Sequence, residues 1–145
     1  MNEIIHGIWI SGIQPVREQS TSRFNTVITV CQESVEDNVG CQYSHFNMAD
    51  GPDNDYGGDA SYGVFERAAN RLHTAVENND TVLIHCHKGQ SRSVSVAAAV
   101  IGCIENTSFD AALDIVETHR PQAGPDELLQ QHGATYINQH TLQSE

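Results

Sequence analysis

Lysine is all but missing from this sequence: six of its seven basic residues are arginine, and Lys88 stands alone. Against those seven stand 19 Asp and Glu residues, for a net charge of −12. Such a balance argues against nucleic acid or an anionic membrane surface as the main partner, because both require basic patches. An uninterrupted apolar run of the roughly 20 residues that span a bilayer is also lacking. The first residues, MNEIIHGIWISG, carry neither the basic flank nor the long apolar stretch of a signal peptide, so a cytoplasmic location is expected. The cysteines (Cys31, Cys41, Cys86 and Cys103) form no CxxC pair, which suggests neither a disulfide framework nor a zinc knuckle. The scarcity of lysine carries a second message. Acid-rich, lysine-poor surfaces suit concentrated salt, where the Debye length shrinks to about 3 Å at 1 M and self-repulsion is screened. A halophilic cytoplasm is therefore expected.

What is present fits one α/β domain covering 1–145. Hydrophobic residues are only 39% of the chain, yet they gather into separate runs that can build a core. Ile4-Ile5 and Ile8-Trp9-Ile10 read as two short strands around His6-Gly7. Gln14 to Ser22 is polar, with room for one helical turn. Asn25–Cys31 is β-branched and nearly all apolar, the pattern of a strand buried on both faces. Tyr43–Met48 reads as a further strand, and the Gly-, Asp- and Asn-rich stretch from Asp50 to Ser61 as a long loop. From Tyr62 the apolar residues recur at helical spacing as far as Asn78-Asn79. Thr81–His85 is an apolar strand, and Ser93–Ile104 a helix apolar on almost every side. Ser108 can cap a helix over Phe109–His119, and Pro125 suits the first turn of a last one. Strands alternating with helices predict a mostly parallel central sheet flanked by helices, with ligands bound beyond the carboxyl ends of its strands.

Cys86-His87-Lys88-Gly89-Gln90-Ser91-Arg92 occupies such a place, between a buried strand and a buried helix. A turn of this kind points consecutive backbone N–H groups into one concavity at a helix N-terminus, where an anion is stabilised. Arg92 adds a planar clamp for two oxygens of a phosphate. Cys86 faces the same concavity, and the helix dipole and Arg92 favour its thiolate, the nucleophilic form. Gly89 lets the backbone turn where a Cβ would crowd the ligand. A metal site at His85-Cys86-His87 is disfavoured, since adjacent strand residues point to opposite faces. Cys31, Cys41 and Cys103 read as small core hydrophobes.

HCHKGQSRS resembles the Cys-x5-Arg signature of cysteine-dependent protein phosphatases, in the HCxxGxSRS form of the dual-specificity subfamily. The resemblance extends to IWISG (8–12), NTVITVCQES, FNMADGPDND with the VFERAANRL helix, and Arg120-Pro121 with Pro125. The chain departs from the pattern at Asp126, where the subfamily often has asparagine, and in the excess of Gly and Asp between Pro52 and Ser61. The resemblance implies the fold of the phosphotyrosine phosphatases and hydrolysis of phosphotyrosine, phosphoserine and phosphothreonine on proteins. Cys86 is then the nucleophile, with a phosphocysteine intermediate. Arg92 and the loop from His87 through Lys88, Gly89, Gln90 and Ser91 bind the phosphate. Ser93 bonds the sulfur and helps it leave, unless it is only a helix-terminal polar residue. His85 steadies the loop from behind. No metal or cofactor is required, and a monomer is the default state.

A carboxylic acid must protonate the leaving oxygen. Asp50, Asp53, Asp55 and Asp59 are all available; Asp50 is preferred because it follows a strand closely, with Asp53 next. Three other readings compete: a rhodanese-type sulfurtransferase, a phosphoinositide or inositol-phosphate phosphatase, and a non-catalytic phosphoresidue-binding module. The run Gly89-Gln90-Ser91-Arg92-Ser93 fits a phosphatase better than the first. Few basic residues in the loop weigh against the second. Retention of both Cys86 and Arg92 weighs against the third.

Overall fold

The computed structural model describes residues 1–52 and 57–142. Among the described residues five strands form one sheet in the order β1-β2-β5-β3-β4, made of β1 (Asn2–Glu3), β2 (Ile8–Ser11), β3 (Thr26–Thr29), β4 (Gln42–His45) and β5 (Val82–His85). Only the β1–β2 pair is antiparallel; β2–β5, β5–β3 and β3–β4 are parallel. This is the mostly parallel sheet that the alternation of strands and helices predicts. The edge hairpin is displaced from expectation: Asn2 pairs with Ile10 and Glu3 with Trp9, so Ile4 and Ile5 lie in the turn. His6 and Gly7 complete that turn with φ of 56° and 78°. Ile4 has left the ladder to bury its side chain in the main core.

The central strand, β5, presents alternate residues to two different cores. Val82 and Ile84 face the large one, together with Ile8, Ile10 and Ile28. Leu83 faces the small one, formed with Ile13, Val16, Phe24, Val27 and Val35. Helix α1 (Ile13–Glu18) closes the small core with Ile13 and Val16, so the single expected helical turn is a helix with a buried face. On the opposite side pack α2 (Tyr62–Glu77), α3 (Arg92–Glu105), α4 (Phe109–His119) and α5 (Glu127–Leu142).

Local chemistry sets the helix ends. Ser61 caps α2 by accepting from Val64 N–H at 3.4 Å, and Ser108 caps α4 by accepting from Ala111 N–H at 3.1 Å. In α2, Val64, Phe65, Ala68, Ala69, Leu72 and Ala75 make one buried stripe, as their spacing predicts. Residues Arg92 to Gly102 of α3 are all buried, the reason its sequence shows no polar face. Pro125 lies just ahead of α5 rather than within its first turn. Asp126 Oδ2 accepts from Leu128 N–H at 2.8 Å, so that carboxylate caps the helix, which starts at Glu127, two residues past Pro125.

Candidate active site

Strand β5 ends at His85, and the chain turns through Cys86–Ser91 into α3, whose first residue is Arg92. The turn lies beyond the carboxyl ends of β2, β5 and β3, as expected. A cleft of about 870 Å³ opens there, bordered by Gln32, Glu33, Asp50, the Cys86–Arg92 turn and the segment from Gly124 to Asp126. Cys86 lies buried at its floor. Its Sγ is 3.2 Å from Ser93 Oγ and accepts the Gly89 N–H at 3.2 Å. The role expected for Ser93 thus has its geometry, since the hydroxyl reaches the sulfur.

Gly89 has φ of +69°, and a Cβ there would come within 2.6 Å of the Ser11 carbonyl and of Arg120 Nη2. Only glycine fits without a shift of backbone. Helix α3 begins with no side-chain cap, because Ser91 Oγ instead accepts from Asp126 N–H at 2.9 Å. The first-turn amides of α3 are therefore left for a ligand.

Arg92 is 8% exposed; its Nη1 donates to Gln32 Oε1 at 2.9 Å and to the Met48 carbonyl at 3.2 Å. Its Nε is buried with no hydrogen-bond partner among the described residues. An unmade bond to a buried donor destabilises by roughly 1–3 kcal/mol, more for a charged one, so the site is built for an anion. Neither Gln32 nor the Met48 carbonyl is charged. Neither therefore acts as a counter-ion to the guanidinium.

His85 is fully buried behind the turn, where both of its ring nitrogens lie within hydrogen-bond distance of the chain. Tyr43 O–H donates to Thr29 Oγ1 at 2.7 Å, Thr29 Oγ1 lies 2.7 Å from His85 Nε2, and His85 Nδ1 lies 3.2 Å from the Cys86 carbonyl. These distances fit one neutral tautomer, with Thr29 donating to Nε2 and Nδ1–H donating to Cys86. His87 instead points to the surface, with Nδ1 3.2 Å from Glu33 Oε1. Burial pushes the His85 pKa down from 6.5 to about 4, against the opposing pull of the Cys86 carbonyl. A histidine depressed in the folded state stabilises above its unfolded pKa and loses that contribution as pH falls. The melting temperature should therefore drop as pH goes from about 6.5 to about 4, and His85→Gln should flatten that part of the profile. An unchanged slope in the variant, read by calorimetry, counts against His85 as its source.

Asp50 borders the same cleft as Cys86. The reason offered for it from the sequence needs correction, because β4 stops at His45 and not at Met48. The chain is re-anchored later, by a bridge of Met48 to Asp59 and by Ala49 N–H donating to the Asp59 carbonyl at 2.9 Å. Asp50 thus stands two residues beyond Met48, whose carbonyl binds Arg92. Asp59 belongs to a separate open groove with His45, Asn47 and Arg67. Its carboxylate is held below its ordinary value by hydrogen bonds from Ser61. Asp53 and Asp55 lie outside the described residues. Burial pushes Cys31 and Cys103 up to about 11 and raises Cys41, so all three stay protonated thiols at neutral pH.

Sequence reasoning missed Gln32, which anchors Arg92, and Arg120, which reaches the turn from behind. Gln32 had a usable signal, for it follows the carboxyl end of a parallel strand. Arg120 had none beyond its place before Pro121.

Residues 11–133 match the family model described as the dual specificity phosphatase, catalytic domain. A putative tyrosine phosphatase, 123R, of Invertebrate iridescent virus 6 is 25% identical over 126 residues, 84% of each chain. The mouse dual specificity protein phosphatase 12 is 46% identical over 46 residues, 32% of this chain and only 14% of that protein. Among solved structures, human DUSP28 superposes with a TM-score of 0.80 at 18% identity, covering 99% of both chains.

Proposed function

Because the chain belongs to the dual specificity phosphatase catalytic-domain family, we propose that it hydrolyses phosphotyrosine and phosphoserine or phosphothreonine on proteins through a phosphocysteine intermediate. The observation that carries this reading is Cys86 Sγ at the floor of a cleft, under amides, beside a buried Arg92 whose Nε has no partner. The phosphoryl group sits on the amides of the turn, with Arg92 clamping two of its oxygens. Cys86 attacks phosphorus, the P–S bond forms as the P–O bond to the substrate breaks, and Asp50 gives the leaving oxygen its proton. Asp50 then takes a proton from water, which displaces the thiolate and releases phosphate. Ser93 stabilises the departing sulfur by a hydrogen bond. Preorganised donors do most of the work here, because the transferred group carries its charge throughout.

The rim carries Glu33, Asp50 and Asp126 beside Lys88. Multiply phosphorylated ligands such as inositol phosphates meet carboxylates there, which favours single phosphoresidues. Hydrolysis of para-nitrophenyl phosphate and of a phosphopeptide panel, with EDTA present, tests the reading. Turnover of both supports it; turnover confined to inositol phosphates, or thiosulfate-to-cyanide sulfur transfer instead, overturns it.

A halophilic cytoplasm belongs to the same proposal, supported by the net charge of −12 and the single lysine. Melting temperature and activity should both rise between dilute buffer and about 2 M KCl, as carboxylate repulsion is screened. A flat or falling melting curve series sinks that part of the proposal.

A further inference from the structure

Arg120 closes α4 and is 5% exposed, yet among the described residues no carboxylate is a hydrogen-bond partner of it. Its Nε donates to the Gly89 carbonyl at 2.6 Å, Nη2 to the Lys88 carbonyl at 3.3 Å, and Nη1 to Asn2 Oδ1 at 2.5 Å. A buried cation ordinarily requires a countercharge. Here the guanidinium lies directly behind the Cys86–Arg92 turn, and burial lowers its pKa while the charge on Cys86 opposes that fall. The nearest use for its charge is therefore the anionic site on the far side of the turn.

The contacts also fix geometry. In a trans peptide the C=O and the N–H point in opposite directions. Holding the Lys88 and Gly89 carbonyls toward Arg120 turns the N–H groups of Gly89 and Gln90 the other way, into the cleft. The Gly89 N–H does point there, since it donates to Cys86 Sγ. Space is tight as well, because a Cβ on Gly89 would lie 2.6 Å from Arg120 Nη2. Other backbone ties on the turn, from Ile13 N–H to the His87 carbonyl and from Gly124 N–H to the Gln90 carbonyl, leave the Lys88 and Gly89 carbonyls to Arg120.

We infer that Arg120 is a positioning residue for phosphoryl transfer: it orients the Gly89 and Gln90 amides toward sulfur and phosphate and sets a positive charge behind them. The inference rests on the phosphatase reading only for its kinetic consequence, since anion binding alone already reports the geometry. The test compares Arg120→Lys and Arg120→Met with the wild type. Three quantities are read: orthovanadate affinity, kcat and KM for para-nitrophenyl phosphate, and melting temperature. A single well-aimed donor is worth roughly 10²–10³ in kcat, so misaligning a pair should lower kcat/KM in Arg120→Met by about 10–100-fold. Vanadate should bind correspondingly more weakly. Arg120→Lys keeps the charge but reaches fewer carbonyls, so it should recover part of both losses. Variants that melt earlier but, while folded, bind vanadate and turn over like the wild type reduce Arg120 to a strut and overturn the inference. Should Arg120→Met not fold, Arg120→Lys decides alone, by weakened or unweakened vanadate binding. Wild-type protein that binds vanadate in an Arg120-dependent way but hydrolyses nothing refutes the phosphatase reading and leaves the positioning role standing.

Discussion

With Cys86 replaced by serine, turnover should vanish while phosphate and vanadate still bind. The two properties separate because different atoms carry them. The amides of the turn and Arg92 remain in Cys86→Ser, and they hold the dianion. The serine hydroxyl cannot replace the thiolate, because among the described residues its hydrogen-bonding side-chain neighbour is Ser93 at 3.2 Å, which is no base. Removing the sulfur also frees the Gly89 N–H that donates to it, so anion affinity should be kept or even improved. In the wild type, iodoacetate or mild peroxide at neutral pH should abolish activity by reaction at Cys86, because Cys86 borders the open cleft while Cys31, Cys41 and Cys103 are held as thiols. Isothermal titration with vanadate, beside a para-nitrophenyl phosphate assay, gives the answer. Residual turnover in Cys86→Ser above the uncatalysed rate ends the phosphocysteine mechanism.

Asp50→Asn should slow kcat by roughly 10²–10⁴-fold for alkyl phosphates and other poor leaving groups. The loss should shrink toward nothing for leaving groups that depart without a proton, because the variant retains the nucleophile and the clamp. The limb of the kcat profile that requires a protonated acid should disappear with it. Asp50 is preferred on position: it borders the cleft and stands two residues past Met48, whose carbonyl Arg92 holds at 3.2 Å. A leaving-group series on Asp50→Asn and Asp53→Asn decides the matter. If Asp53→Asn alone shows the dependence, Asp50 is not the acid.

The nucleophile and the clamp were legible because they share one short stretch of chain. Hydrophobic strand, turn and hydrophobic helix stand in order from Val82 to Ile104, and their chemistry depends on neighbours in sequence. Helix α4 was equally clear, since Ser108 caps it and His119 ends it. Gln32 and Arg120 were hidden because they act across 60 and 31 residues, through hydrogen bonds that no local pattern encodes. The same holds for Tyr43 and Thr29, whose hydroxyls lead to His85. Strand β4 misled for a different reason. Its apolar residues run on through Phe46 and Met48, but the ladder with β3 stops at His45, and Met48 leaves it to pair with Asp59. Hydrophobic pattern records burial, and burial continues past the end of the strand.

The bond from Arg92 to the Met48 carbonyl joins the floor of the cleft to the segment bearing Asp50. An anion that draws Arg92 into one rotamer therefore also selects one position of that segment. Thermodynamic linkage makes the relation mutual: whatever factor the anion contributes to ordering Met48–Asp50, ordering that segment returns to anion affinity. A crosslink, a neighbouring protein or a rigid substrate that immobilised the segment would tighten phosphate binding without touching the phosphate. Conversely, a substitution that loosened it would show first as weaker product inhibition, before any change in the chemical step.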